Sequence, residues 1–216
     1  MIKKEYVYSA IIIGVLLLFL NEFNNRYESF KSDRVISNYD KRYYNVVHEF
    51  TDRNIAADKM AILHEFIINY LRYIKNKFII QNAGTIDQSN FFNRILENYN
   101  PDAIFENDPL PGEVTSYVSN KGIEFGICLR KKEINPGQLH ELSILKFVML
   151  HELTHLGCLS YGHNLEFWTS FKMVLNEAVK SGLYKPIDSS KKENTINYCG
   201  LIVKHNPYCD GINKCL

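Results

Sequence analysis

The chain has 216 residues, with 25 Lys and Arg against 24 Asp and Glu and a formal net charge of +1. That length holds one domain with a proper core plus short attachments. The charge balance excludes a global attraction to nucleic acid or another polyanion, so nucleic acid is not indicated as a partner.

The charged start Met1 to Glu5 is followed by Tyr6 to Leu20, fifteen residues without a charge. As a helix this run reaches ~22 Å, and Ile2, Phe23 and snorkelling lysines extend it toward a ~30 Å hydrocarbon core. A cleaved signal peptide fits the same start, but Asn21-Glu-Phe-Asn-Asn-Arg26 offers no small-residue cleavage site. Residues 1–25 are therefore expected to form an N-terminal transmembrane helix, giving a single-pass protein of a viral or host membrane.

From Arg26 to Arg53 the spacing of Tyr43, Val46, Val47 and Phe50 predicts helical pieces. A longer helix is expected where Ile55, Met60, Leu63, Phe66, Ile67, Tyr70, Leu71 and Ile74 recur at three- and four-residue steps. His64 lies within it among apolar neighbours, the setting of a structural histidine. Gly84 and Thr85 break the pattern, and Asp87 or Ser89 is expected to cap a short helix through Asn98. After the loop marked by Pro101, Pro109, Pro111 and Gly112, segments 115–119 and 122–130 read as two strands turning at Asn120-Lys-Gly122. The edge of such a sheet either packs plainly or takes an extended peptide as an added strand.

The chemistry concentrates in the apolar run Phe147 to Gly157, which contains His151-Glu152-Leu-Thr-His155. On a helix, His151 and His155 emerge on one face about one turn apart, so both rings can grip one ion. Glu152 stands beside that face, where a carboxylate can take a proton from an attacking water without binding the metal. One buried histidine is more often a hydrogen-bonded core residue than a ligand. Two at this spacing with an acid between them point to zinc.

A catalytic zinc site takes a third protein ligand. Gly157 is expected to end the helix in a left-handed conformation, and Gly162 to loosen the chain before a second helix starting near His163. Phe167, Phe171, Val174, Leu175 and Ala178 make that helix's apolar face. His163, at its first turn, is the candidate ligand; Glu166 and Glu177 are the rivals. Cys158 and Tyr161 occupy the positions where another common zinc pattern needs Gly and His. Among the five cysteines, Cys128 and Cys158 read as small buried hydrophobes. Cys199, Cys209 and Cys215 offer a tail disulfide with one thiol left over or, with His205, an extra metal site.

His151-Glu-Leu-Thr-His155 followed by His163-Asn-Leu-Glu-Phe-Trp168 resembles the WLM and SprT-like zincin metallopeptidases. Tyr99-Asn-Pro-Asp102, Asn120-Lys-Gly122 and Cys128-Leu-Arg130 are similar to WLM-like proteins of large DNA viruses. The resemblance spans residues 98–183 and implies an α+β zincin-like domain over 26–195, followed by a Cys-containing tail over 196–216. It implies His151, His155 and His163 as Zn2+ ligands and Glu152 as general base in the hydrolysis of a protein or peptide substrate, with Tyr161 a candidate to hold the oxyanion. The gap from His155 to His163 is longer than in WLM chains and shorter than in many SprT-like chains. Two alternatives remain at this stage: a zinc-clamped structural or interaction protein, with Cys158 as the nearest fourth donor, and a zinc hydrolase of a non-peptide amide.

Overall fold

The computed structural model describes residues 13–18, 32–108, 114–132, 136–187, 196–203 and 206–209. In chain order it contains β1 (Ser32–Ile36), β2 (Tyr43–Val47), α1 (Arg53–Ile74) with a π-helical continuation (Lys75–Ile80), α2 (Ile86–Asn98) and β3 (Ile104–Glu106). Then come β4 (Tyr117–Ser119), β5 (Glu124–Ile127), α3 (Leu142–Gly157), α4 (Leu165–Lys180), β6 (Ile196–Tyr198) and β7 (Leu201–Val203).

The fold is α+β with a mixed five-stranded sheet in the order β1-β2-β3-β5-β4. The β1-β2 and β4-β5 pairs are antiparallel, whereas β2-β3 and β3-β5 are parallel. The helical pieces expected before Arg53 are the hairpin β1-β2 instead. Tyr44 and Val46 are buried while Tyr43 and Asn45 are exposed, so the pattern that folds has period two.

The hairpin at Asn120 to Gly122 is present, with Ser119 paired to Glu124. Asn120, Lys121 and Gly122 all have positive φ, and a Cβ on Gly122 would lie 2.1 Å from the Asn98 carbonyl oxygen. Helix α2 is capped by Thr85, not by Asp87 or Ser89. The Thr85 hydroxyl accepts from Gln88 N, and the Gln88 side chain accepts from Thr85 N, a reciprocal pair that satisfies two first-turn donors.

A buried ion pair ties the sheet to the loops beneath it. Glu106 accepts from Val47 N and from Arg130 Nε, each at 2.8 Å, while Arg130 also reaches Asp52 and the Gly137 carbonyl. The Phe50 ring lies 3.8 Å from the Arg130 guanidinium carbon. Because both charges are out of water, removing one partner alone strands the other.

Cys128 is not a simple buried hydrophobe: it forms a disulfide with Cys199, 71 positions away. Cys199 sits with Gly200 in the two-residue turn of the β6-β7 hairpin, both at positive φ, and the bond fastens this hairpin to the main sheet. The tail segment 196–203 is thus docked on the domain. His205 and Cys215, named for a tail metal site or disulfide, lie outside the described residues. Cys158 is a buried free thiol.

The expected membrane anchor is corrected. Among the described residues no helix is long and apolar enough to cross a membrane. Of the apolar run only residues 13–18 are described. The rest of residues 1–25 lies outside the described residues. The transmembrane helix and the single-pass localisation, drawn from a charge-free run alone, are not supported.

Candidate metal centre

Helix α3 carries the His-Glu-x-x-His sequence through the core, with Leu145, Met149, Leu150, Leu153 and Leu156 fully buried. A helix so enclosed must have its last carbonyls satisfied by protein. Three side chains do this. Lys121 Nζ donates to the carbonyls of His155 (3.1 Å) and Cys158 (2.6 Å), Asn98 Nδ2 to Leu156 (3.0 Å), and Arg94 Nε to Gly157 (2.7 Å). The two cations also suit the negative end of the helix dipole.

Gly157 does not take the left-handed conformation expected of it. It is the last residue of α3, and its role is space: a Cβ there would lie 2.5 Å from Phe91 and 2.9 Å from Ile95, where α2 crosses α3.

The chain turns back through residues 158–164 to start α4. Glu166 shapes this turn, accepting from Leu159 N at 2.7 Å and Ser160 N at 3.0 Å and from the Ser160 hydroxyl. These donors hold its carboxyl below the usual range. Asn164 caps α4 by accepting from Phe167 N, and Gly162 supplies a left-handed residue at φ 77° just before His163. His163 is thereby delivered over α3.

The structure brings His151, His155 and His163 together. Their nearest ring nitrogens all lie within 4.8 Å of one another, and His151 Nε2 is 2.9 Å from His163 Nε2. Phe167 lies under all three, with ring centroids 4.7, 4.4 and 4.6 Å from those of His151, His155 and His163. Among the described residues this is the one cluster of three or more His, Cys, Asp or Glu side chains placed to hold a metal ion, and it includes neither Glu166 nor Cys158. Glu177 is engaged elsewhere, with Lys77, Lys180 and the Tyr73 hydroxyl.

Burial sets the electrostatics. It pushes the His151 pKa well below the ordinary value and that of His155 to about 4, helped in both cases by neighbouring histidines; burial also lowers His163. Neutral imidazoles are the form that ligates metal. Glu152 is 4% exposed, and burial pushes its pKa up to about 8.

The histidines and Glu152 line a cleft of about 240 Å³, walled by Ser116, Tyr117 and Val118 of the β4 segment and by Lys121 and Tyr161. Strand β4 is the sheet edge on this side. Tyr161 is 79% exposed, and Lys121 Nζ lies 4.9 Å from its ring centre. Behind the wall, the Tyr198 hydroxyl hydrogen-bonds Ser116 Oγ, which also accepts from Cys128 N at 3.0 Å.

In the sequence Phe167 reads only as part of a core face, and nothing marks a role for Arg94, Ser116 or Tyr198. The aromatic at His163 plus four was a visible signal for Phe167. Arg94 reaches across 63 residues to Gly157 and the Ser116–Tyr198 bond spans 82, with no local pattern to announce them. His64, expected to be structural, is buried between Arg42 and Tyr99, away from the triad.

The fold and site define an α+β protein in which one helix and the turn leading into the next present three histidines and one buried carboxylate to a cleft at a sheet edge. "Uncharacterized protein R325" of Acanthamoeba polyphaga mimivirus is 30% identical over 197 residues, covering 89% of this chain and 91% of that protein, and the chain belongs to the same family. Shorter matches are "Uncharacterized protein 042R" of Invertebrate iridescent virus 3, 34% identical over 49% of this chain and 62% of that protein, and "Uncharacterized protein 136R" of Invertebrate iridescent virus 6, 32% identical over 50% and 58%. No protein-family model and no solved structure matches the chain.

Proposed function

We propose that the chain is a zinc-dependent metallopeptidase of the WLM and SprT-like zincin type. The observation that carries this reading is the convergence of three histidine ring nitrogens within 4.8 Å of one another beside the buried carboxylate of Glu152. The donor set fits: three imidazoles and one open side are what a catalytic zinc site uses, whereas structural sites are closed by a fourth protein ligand. Cys158 is not in the cluster, which counts against the structural clamp.

Zinc held there supplies a Lewis acid that polarises the scissile carbonyl, and its charge favours the ionised form of Glu152. Glu152 accepts the proton of the attacking water and passes it to the leaving nitrogen. The edge strand β4 takes the substrate backbone as an added strand and holds the scissile bond over the histidines. Tyr161 and Lys121, at the mouth, are the side chains available to donate to the developing oxyanion.

The test is elemental analysis of the purified chain together with digestion of a broad peptide library by wild type and Glu152→Gln. The variant is expected to keep its zinc and lose most hydrolysis, because the substitution deletes the base and spares the ligands. Wild-type turnover in the variant, or a wild-type chain that holds zinc and cleaves nothing, would refute the peptidase reading.

A further inference from the structure

About the disulfide, a buried histidine meets the two bonded cysteines. Cys199 Sγ lies 3.5 Å from His140 Nε2 and is bonded to Cys128 Sγ. The Arg130 carbonyl oxygen is 3.2 Å from Cys199 Sγ and 3.4 Å from Cys128 Sγ. His140 is 1% exposed, and its Nδ1 has no hydrogen-bond partner. Its Nε2 accepts from Cys199 N at 3.3 Å, so its lone pair already faces the turn that carries Cys199.

We propose that Cys128, Cys199 and His140 form a second metal site, closed as a disulfide in the oxidised chain and able to take zinc once that bond is reduced. Around a tetrahedral zinc, bonds of ~2.3 Å to sulfur and ~2.0 Å to nitrogen place the S and N atoms ~3.5 Å apart, the separation already present between Cys199 and His140. The two sulfurs must part to ~3.8 Å on the same geometry. The hairpin turn carrying Cys199 is the element that shifts, and the Arg130 carbonyl is the fourth donor at hand.

The chemistry balances with a trialkylphosphine as reductant. The phosphine gives two electrons to the sulfur pair and becomes a phosphine oxide with the oxygen of one water. That water's two protons complete two thiols where the S–S bond was. Zinc binding then displaces both thiol protons, leaving two thiolates whose charge offsets that of the ion.

The test uses the full chain with Cys209→Ser and Cys215→Ser, so that reduction releases no other thiol pair. Zinc is counted in the oxidised chain and, after phosphine treatment and anaerobic desalting, in the reduced one. Reduction is expected to add about one equivalent of zinc, and His140→Ala to abolish that gain. Cobalt(II) gives a readout in which site and fold are intact: sulfur-to-cobalt charge-transfer absorption should appear on reduction and be absent before it.

A reduced chain that gains no zinc, a gain that survives His140→Ala, or cobalt spectra without sulfur character would each overturn the assignment. So would a disulfide that resists reduction while the chain stays folded. Zinc missing from the oxidised chain would count against the histidine triad alone, since the second site is read as the difference made by reduction.

Discussion

Lys121 Nζ lies 2.6 Å from the carbonyl oxygen of Cys158, so the turn of the β4-β5 hairpin directly caps the helix that carries His151 and His155. The sheet edge is thereby tied to the C-terminal end of that helix. The left-handed turn at Asn120 to Gly122, pressed against the Asn98 carbonyl, aims the lysine.

Lys121→Met keeps most of the stem and removes the ammonium donor. It should destabilise the fold by ~1–2 kcal/mol through two lost charge-assisted hydrogen bonds at a helix C-terminus. Urea unfolding at pH 7 measures this. Equal midpoints for variant and wild type would mean that water replaces the ammonium without loss.

The three rivals for the third ligand should separate cleanly in a zinc competition assay. His163→Ala removes one of the triad nitrogens and should abolish tight binding. Glu166→Ala frees Leu159 and Ser160 without touching the histidines, and should weaken zinc by ~10-fold to 100-fold. Glu177→Ala should leave affinity unchanged while lowering stability, because it releases the Lys77 and Lys180 ammoniums from their carboxylate. The reverse order for His163 and Glu177 would remove His163 from the site.

Gly157→Ala should destabilise by ~1–3 kcal/mol even though alanine is the better helix former, because the added methyl meets Phe91 and Ile95 inside contact distance. Thermal unfolding reads the effect. Adding Phe91→Leu to make room should recover part of the loss.

His64 predicts a specific acid response. Burial, then the Arg42 charge, lowers its pKa, with Asp40 and Asp102 opposing; Arg42 Nη1 donates to Nε2 at 3.0 Å. A depressed folded pKa means that the unfolded chain takes up this proton first. The stability contribution is thus full above the unfolded value near ~6.5 and is lost as pH falls through the folded value. His64→Gln should lower stability at pH 7.5 and flatten its decline below pH ~6.5 in denaturant titrations. A parallel acid limb in the two proteins would exclude His64 as its source.

Much of the scaffold was legible because its signals are local. The three- and four-residue rhythm from Ile55 to Ile74 marks α1, the Asn120-Lys-Gly122 turn marks the hairpin, and the apolar run around His151 marks α3. The β1-β2 hairpin was misread because Tyr43, Val46, Val47 and Phe50 happen to fall at helical steps, while the alternation of Tyr44 and Val46 that actually folds is only five residues long. Thr85 and Gln88 spell out a capping box, and Asp87 and Ser89, the expected caps, lie within the helix that it starts. The tie between Cys128 and Cys199 had no local signature, since it depends on how the tail hairpin returns to the sheet. The charge-free N-terminal run and the missing cleavage site suggest a membrane anchor, yet among the described residues no helix is long and apolar enough to cross a membrane.

The Cys128–Cys199 bond closes a covalent ring around residues 129–198, and α3, α4 and all three triad histidines lie inside it. One cut in the backbone within that ring, for instance by a contaminating protease, leaves both pieces attached. A nicked molecule would run as a single band on a non-reducing gel and split in two only after reduction. Intact-looking preparations can therefore carry broken chains, and the two gels side by side would count them.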